Sequence, residues 1–280
     1  LPENAENLPF KPDIGNSKER NIKFSGYVAF VIILIIILYA IESMVASGMI
    51  SSEAASDYII LDYDSPNFFS LYLSKYVHSQ DNPFHMVNNI ASFLVVSVII
   101  GILYFFFYPK IGIMMPEYYL LAVYIQIIAV VPFSISIISY IYRQIGVIDE
   151  VMRYSVGFSG VVWALTGFML FLVSLFLLKA LSPRLAGHGG DFVRIVSVCL
   201  PILFLVSLLV ILPVFIIVTD IHTSKNMFAH LAGFAYGWLI PALTGSYFVS
   251  SCANCKIANL LYTFLIFSIP FVIAAFLVAL

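Results

Sequence analysis

Residues 157–165 read Gly157-Phe158-Ser159-Gly160-Val161-Val162-Trp163-Ala164-Leu165 and open an apolar run that continues to about Ala180. A run of this length and polarity is long enough to cross a bilayer as a helix. A serine followed by glycine at the head of such a helix is a candidate nucleophile. The glycine leaves no side chain in the way of a partner group. The first N–H groups of the helix are unpaired where an oxyanion would form. Small residues in membrane helices are also packing surfaces, so this stretch speaks first for a membrane helix and only with help for chemistry.

The rest of the chain repeats the pattern. Of the 280 residues, 62% are hydrophobic and 10% charged, and the mean hydropathy is +1.03. Soluble domains do not have this composition. The chain reads as an all-α polytopic membrane protein with seven spans, at about 26–45, 85–107, 118–142, 158–180, 193–218, 227–249 and 257–279. Pro83 suits the first turn of span two, with Asp81 or Asn82 as its cap. Pro132 is expected to kink span three. Residues 46–84 are too many for a structureless connection, and the aromatic stretch at 68–76 is expected to form an interfacial helix or a partly submerged element. Residues 1–23 read as a polar mobile tail. They carry no basic start, apolar middle and small-residue cleavage site, so the first apolar run is expected to stay as an anchor.

With the N-terminus inside, nine of the 13 Lys and Arg residues fall on inner segments, while Lys75, Arg143, Arg153 and Lys225 fall on outer ones. This imbalance favours a cytoplasmic N-terminus and an outer C-terminus in the cell membrane. Spans two, four and six then all enter from the outer side. His85 and Asn89, Ser159, and His230 occupy their first turns, at one depth. Intramembrane ionisable residues read as functional by default. His230 is followed by Gly233 and Gly237 on one face, and span four offers Gly160, Ala164 and Gly167. Two such faces let helices approach closely and bring a hydroxyl within the roughly 2.6–3.2 Å that general-base activation needs. His85 and Asn89 are four residues apart and leave span two on one face. Aimed at Ser159, they and the Ser159 N–H would donate to an oxyanion. Trp163, one turn on, would pack against the His230 ring. Glu42 is the only acidic residue inside a span, and none lies on the spans bearing these groups, so a Ser-His dyad is favoured over a triad.

Gly-Phe-Ser-Gly-Val-Val-Trp-Ala-Leu, His-x-x-x-Asn at a helix start and Ala-His-x-x-Gly-x-x-x-Gly in a later helix resemble, in kind and order, the rhomboid intramembrane serine proteases. The resemblance implies a rhomboid-like six-helix catalytic core at 24–249 and an additional C-terminal transmembrane helix at 250–280. It implies Ser159 as nucleophile and His230 as general base and acid. His85 and Asn89 would be oxyanion donors, with Gly157 and Trp163 lining the site. The implied substrates are transmembrane segments of other membrane proteins, cut near their outer end. The Trp-Arg pair that members often carry in the first outer loop is absent, since Trp163 and Trp238 are the only tryptophans. His78 resembles a second histidine found upstream of span two in many members, but lies seven residues before His85 where five is usual.

Two other readings compete. One is a rhomboid-like protein that binds membrane clients without cutting them, against which the intact Ser159 and His230 speak. The other is a small-solute transporter, which would call for internal repeats or charged residues at midplane depth. Neither a nucleic-acid partner nor a cofactor is expected, given a net charge of −2 and no nucleotide motif. Three cysteines are too few for a disulfide scaffold, and Cys252 and Cys255 lack the further ligands of a zinc site. No metal is expected. Water is expected to enter through a cavity capped by residues 219–226, and span five, with Pro213, is a candidate lateral gate.

Overall fold

The computed structural model describes residues 17–78, 83–113, 117–146, 154–185 and 227–249, with isolated positions between 211 and 218. The described chain is helical, with one short strand pair. Helix α1 is Ser17–Ala46, α2 Ser52–Tyr58, α3 Phe68–Leu73, α4 Pro83–Ile102, α5 Glu117–Ala129, α6 Val131–Gln144, α7 Ser159–Leu185 and α8 Met227–Val249. Strand β1 is Leu61–Asp62 and β2 is Tyr154–Ser155.

Among the described residues, four helical stretches are long and apolar enough to cross a membrane: Ser17–Ala46, Phe84–Ile111, Tyr119–Gln144 and Ser159–Leu177. They coincide with the first four expected spans. The residues of the expected sixth span form helix α8. Spans five and seven, and the proposed gate and cap at 193–226, lie largely or wholly outside the described residues. So do Cys199, Cys252 and Cys255. The architecture is that of an all-α membrane-embedded protein, with four candidate spans among the described residues. Its lipid-facing side is visible on α1, where Ile32, Ile33, Ile36 and Ile37 are exposed and only Tyr27, Val31 and Leu38 are buried. In water such a face would be an aggregation liability. In hydrocarbon it is the expected surface, because the helix satisfies its own backbone groups.

Local chemistry explains where the helices begin and end. Helix α1 starts at Ser17, inside the segment read as a tail from residue 1 to 23. A Glu19–Lys23 ion pair of 2.7 Å, one turn apart, extends its start. Pro83 opens α4, where a missing N–H costs nothing. At the expected kink the helix is interrupted at one residue: α5 ends at Ala129, Val130 lies between, and Pro132 falls in the first turn of α6. Beyond Ile102, α4 continues as a π-turn at Leu103–Phe107 and a 3₁₀ turn at Pro109–Ile111. Gly112 then reverses the chain at φ 73°, a conformation glycine adopts without steric cost.

Tyrosines tie the bundle together. Tyr27 Oη on α1 donates to the Ser97 carbonyl on α4 at 2.7 Å and lies 2.6 Å from Tyr124 Oη on α5. Tyr108 Oη donates to the Leu172 carbonyl on α7 at 2.6 Å. Each phenol buries its ring in the core and places its hydroxyl on a polar partner, as burial in an apolar medium requires.

The connection at 46–84 is ordered, as its length demands. Ser51 caps α2, its hydroxyl accepting from Ala54 N at 3.2 Å. Asn67 and Ser70 cap α3 reciprocally. Antiparallel pairing of Leu61 with Ser155 and Asp62 with Tyr154 joins this connection to the segment before α7. Two further bonds fasten that segment: Gly157 N donates to the Ser74 carbonyl at 2.9 Å, and Lys75 Nζ donates to Ser155 Oγ at 2.8 Å.

Lys75 is 2% exposed, and burial pushes its ammonium down from 10.5 to about 7. The unfolded chain therefore binds more protons than the folded one between pH 7 and the unfolded value of about 10.4. Stability is expected to rise with pH across that window, with a slope approaching about 1.4 kcal/mol per pH unit. Below pH 7 the folded state carries the full penalty. Unfolding midpoints in detergent at pH 7 to 10 check this: the slope should be present in the wild type and flattened in Lys75→Met. Parallel curves for the two would show that Lys75 is not the titrating group.

Candidate active site

Helices α7 and α8 form the most extensive helix pair among the described residues. Their contact is built from the small residues expected to make it. A methyl group at Gly160 would meet the Ala229 carbonyl at 3.1 Å. One at Gly167 would meet Trp238 N at 2.9 Å and overlap the Phe234 carbonyl. At Gly233 it would overlap the Gly160 carbonyl oxygen, and at Gly237 that of Ala164. The two backbones touch with nothing between them, the geometry that small-xxx-small faces permit.

This approach brings the candidate nucleophile and base together. Ser159 is the first residue of α7 and half-buried. His230 lies in the first turn of α8 and is 6% exposed. Ser159 Oγ is 2.6 Å from His230 Nε2. With Nε2 as acceptor, the serine hydroxyl donates to it, and the ring is set to take the proton as the oxygen attacks. The Trp163 ring lies 6.2 Å from the His230 ring, tilted by 38°, and meets Phe234 edge-on at 6.4 Å. Trp163 thus neighbours His230, as expected from its place one turn beyond Ser159.

Gly157 has a φ of 130°, a conformation that side-chain-bearing residues rarely adopt. The turn it makes delivers Phe158 and Ser159 into α7, with the first-turn N–H groups pointing out of the helix end. Asn89 on α4 is buried, and its Nδ2 lies 2.8 Å from Nε2 of His78. Phe158 N also donates to that Nε2, at 3.5 Å. His85 is half-buried on α4, its ring meeting the His78 ring edge-on with centroids 5.4 Å apart.

One member of this cluster, Glu42, was not connected to it by sequence reading. His78 N donates to Glu42 Oε2 at 3.0 Å, and His78 Nδ1 is 3.6 Å from the same oxygen. The available signal was that Glu42 is the single acid within a span. Lys75 counts in the sequence as one of four basic residues on outer segments and as part of the aromatic stretch at 68–76, and nothing there names Ser155 as its partner.

The chain matches no protein-family model, no curated protein and no solved structure. The functional reading therefore rests on the residues and their geometry.

Proposed function

We propose that this protein is an intramembrane serine endopeptidase of the rhomboid type, in which Ser159 is the nucleophile and His230 the general base and acid. The observation that carries the proposal is the 2.6 Å contact between Ser159 Oγ and His230 Nε2, made across two apolar helices. A half-buried serine and a buried histidine between membrane helices cost desolvation, and a chemical role accounts for their presence at one point. The remaining architecture is proposed with it: a six-helix core at 24–249 with one further C-terminal helix, a cytoplasmic N-terminus and an outer C-terminus. The substrates are transmembrane segments cut near their outer end.

The chemistry follows from the groups at the site. His230 Nε2 takes the hydroxyl proton as Ser159 Oγ bonds to the scissile carbonyl carbon. The tetrahedral oxyanion is met by the Ser159 N–H and the Asn89 carboxamide. His85, one turn earlier on the same face of α4, is a further candidate donor. Collapse expels the amine, which takes the proton from His230 and leaves an acyl-enzyme on Ser159. Water, deprotonated by the same imidazole, attacks the acyl carbon and releases the acid, returning the proton to Ser159 Oγ. Each oxyanion donor is worth roughly 10²–10³ in rate.

A fluorophosphonate probe tests the assignment in detergent-solubilised protein. The wild type should become covalently labelled and Ser159→Ala should not. A panel of single-span proteins in liposomes should yield at least one that the wild type cuts and Ser159→Ala does not. Wild-type protein that takes no label and cuts no member of the panel would sink the protease reading in favour of a client-binding role.

A further inference from the structure

We propose that His78, held by Glu42, is a positioning residue that orients the Asn89 carboxamide toward the oxyanion. This rests on the protease reading and adds to it two residues, from α1 and from the connection before α4.

The hydrogen-bond partners fix the arrangement. His78 Nε2 is approached by two nitrogens, Asn89 Nδ2 at 2.8 Å and Phe158 N at 3.5 Å. The backbone N–H of Phe158 can only donate, so Nε2 must present its lone pair. That choice also decides the orientation of the Asn89 amide. With the amide turned over, its Oδ1 would need a proton on Nε2, and that proton would face the Phe158 N–H. Nδ2 therefore donates to Nε2, and the ring proton of neutral His78 is on Nδ1. Nδ1 is the atom that faces the Glu42 carboxylate, 3.6 Å away. The same carboxylate oxygen accepts from His78 N at 3.0 Å, so Glu42 anchors the residue through its backbone and lies beside the far edge of its ring.

A carboxylate behind an imidazole favours the tautomer whose ring proton faces it and orients the ring. Here Nε2 engages one of the two Nδ2 hydrogens of Asn89. The amide is thereby held against rotation, and its second hydrogen is left for the oxyanion beside Ser159. His78 does not touch the reacting atoms in this arrangement. It acts through Asn89. Its side chain is 4% exposed and that of Glu42 is 13% exposed, so water competes weakly for these bonds.

The experiment is a double-mutant cycle on the full chain in detergent, read by fluorophosphonate labelling rate and by kcat and KM on a cleavable single-span substrate. His78→Phe should lower kcat about 10- to 100-fold, the range of losses when a supporting hydrogen-bond partner is removed. KM should change little. His78→Gln retains an acceptor at that reach and should recover most of the loss. Glu42→Gln should give a smaller fall in kcat with the ring still in place, and it serves if His78→Phe does not fold. The decisive reading is the Asn89→Ala background, in which His78→Phe should cost nothing further. An equal loss in both backgrounds would mean that His78 acts by another route, and the proposal would be overturned with the protease reading intact. Unchanged kcat in His78→Phe and Glu42→Gln would overturn it in the same way. Absence of labelling and cleavage in the wild type would remove the protease reading, and this proposal with it.

Discussion

Changing His230 to alanine is expected to slow peptide cleavage by about 10⁴-fold or more, the size of loss found when the base of a serine-protease site is removed. A serine hydroxyl is a poor nucleophile at neutral pH until something takes its proton. Nε2 of His230, 2.6 Å from Ser159 Oγ, is the group placed to do so. The loss should fall on kcat, since the imidazole acts on the reacting atoms and not on the substrate's remote parts. Because the two groups act as a unit, Ser159→Ala with His230→Ala should be little slower than Ser159→Ala alone. Turnover of a single-span substrate, with the thermal midpoint followed in parallel, checks both statements. A His230→Ala protein that folds normally and keeps a tenth of wild-type activity would show that the imidazole is not the base. The contact with Ser159 would then be structural.

The parts of this site that could be read in the sequence are those carried by periodicity. Ser159 at the head of one apolar run and His230 in the first turn of another were legible because a run long enough for a membrane span announces its own ends. Gly233 and Gly237 were legible because spacing by four places small residues on one face. The α7–α8 contact then followed, and with it the meeting of Ser159 and His230. The parts that could not be read lie in the connections. Leu61–Asp62 pairs with Tyr154–Ser155, but two-residue strands have no alternation to detect. Lys75 is buried on Ser155, 80 residues away, and nothing in the flanking sequence of either names the other. His78 and Asn89 are eleven residues apart, with a helix boundary between them, so no helical spacing relates them. Glu42 stood out as an acid within a span, but the link to His78 is a contact between α1 and a loop. Sequence reading set His85 and Asn89 on one helix face as oxyanion donors and assigned His78 no role. The structure brings His78 to that amide and sets the His85 ring against His78. Regular elements declare their neighbours through spacing, and the segments between them acquire neighbours only in the folded chain.

That dependence of the site on helix packing gives the second large effect. Gly237→Ala is expected to abolish detectable cleavage and to lower the thermal midpoint. A methyl group added at Gly237 would fall on the carbonyl oxygen, carbonyl carbon and Cα of Ala164. These are backbone atoms of a continuous helix, and no rotamer change relieves them. Overpacking of this kind costs typically 1–3 kcal/mol, and more where the obstacle is rigid. The relief available is for α8 to move away from α7. Ser159 and His230 sit on opposite sides of that seam, two turns from Gly237, and their 2.6 Å contact is the first thing that separation would lengthen. A misplacement on the order of 1 Å costs about 10²-fold in rate, so activity should fall further than stability does. Gly26→Ala is the matching control. Gly26 lies within α1, and no atom comes within 4 Å of an added methyl group. There alanine is the better helix former by roughly 1 kcal/mol, and both cleavage and the thermal midpoint should hold or improve. Labelling by a fluorophosphonate probe separates the two variants directly, with Gly26→Ala reacting at the wild-type rate and Gly237→Ala not reacting. If Gly237→Ala were labelled as fast as the wild type at an unchanged midpoint, the close α7–α8 seam would not be what holds the serine and the imidazole together.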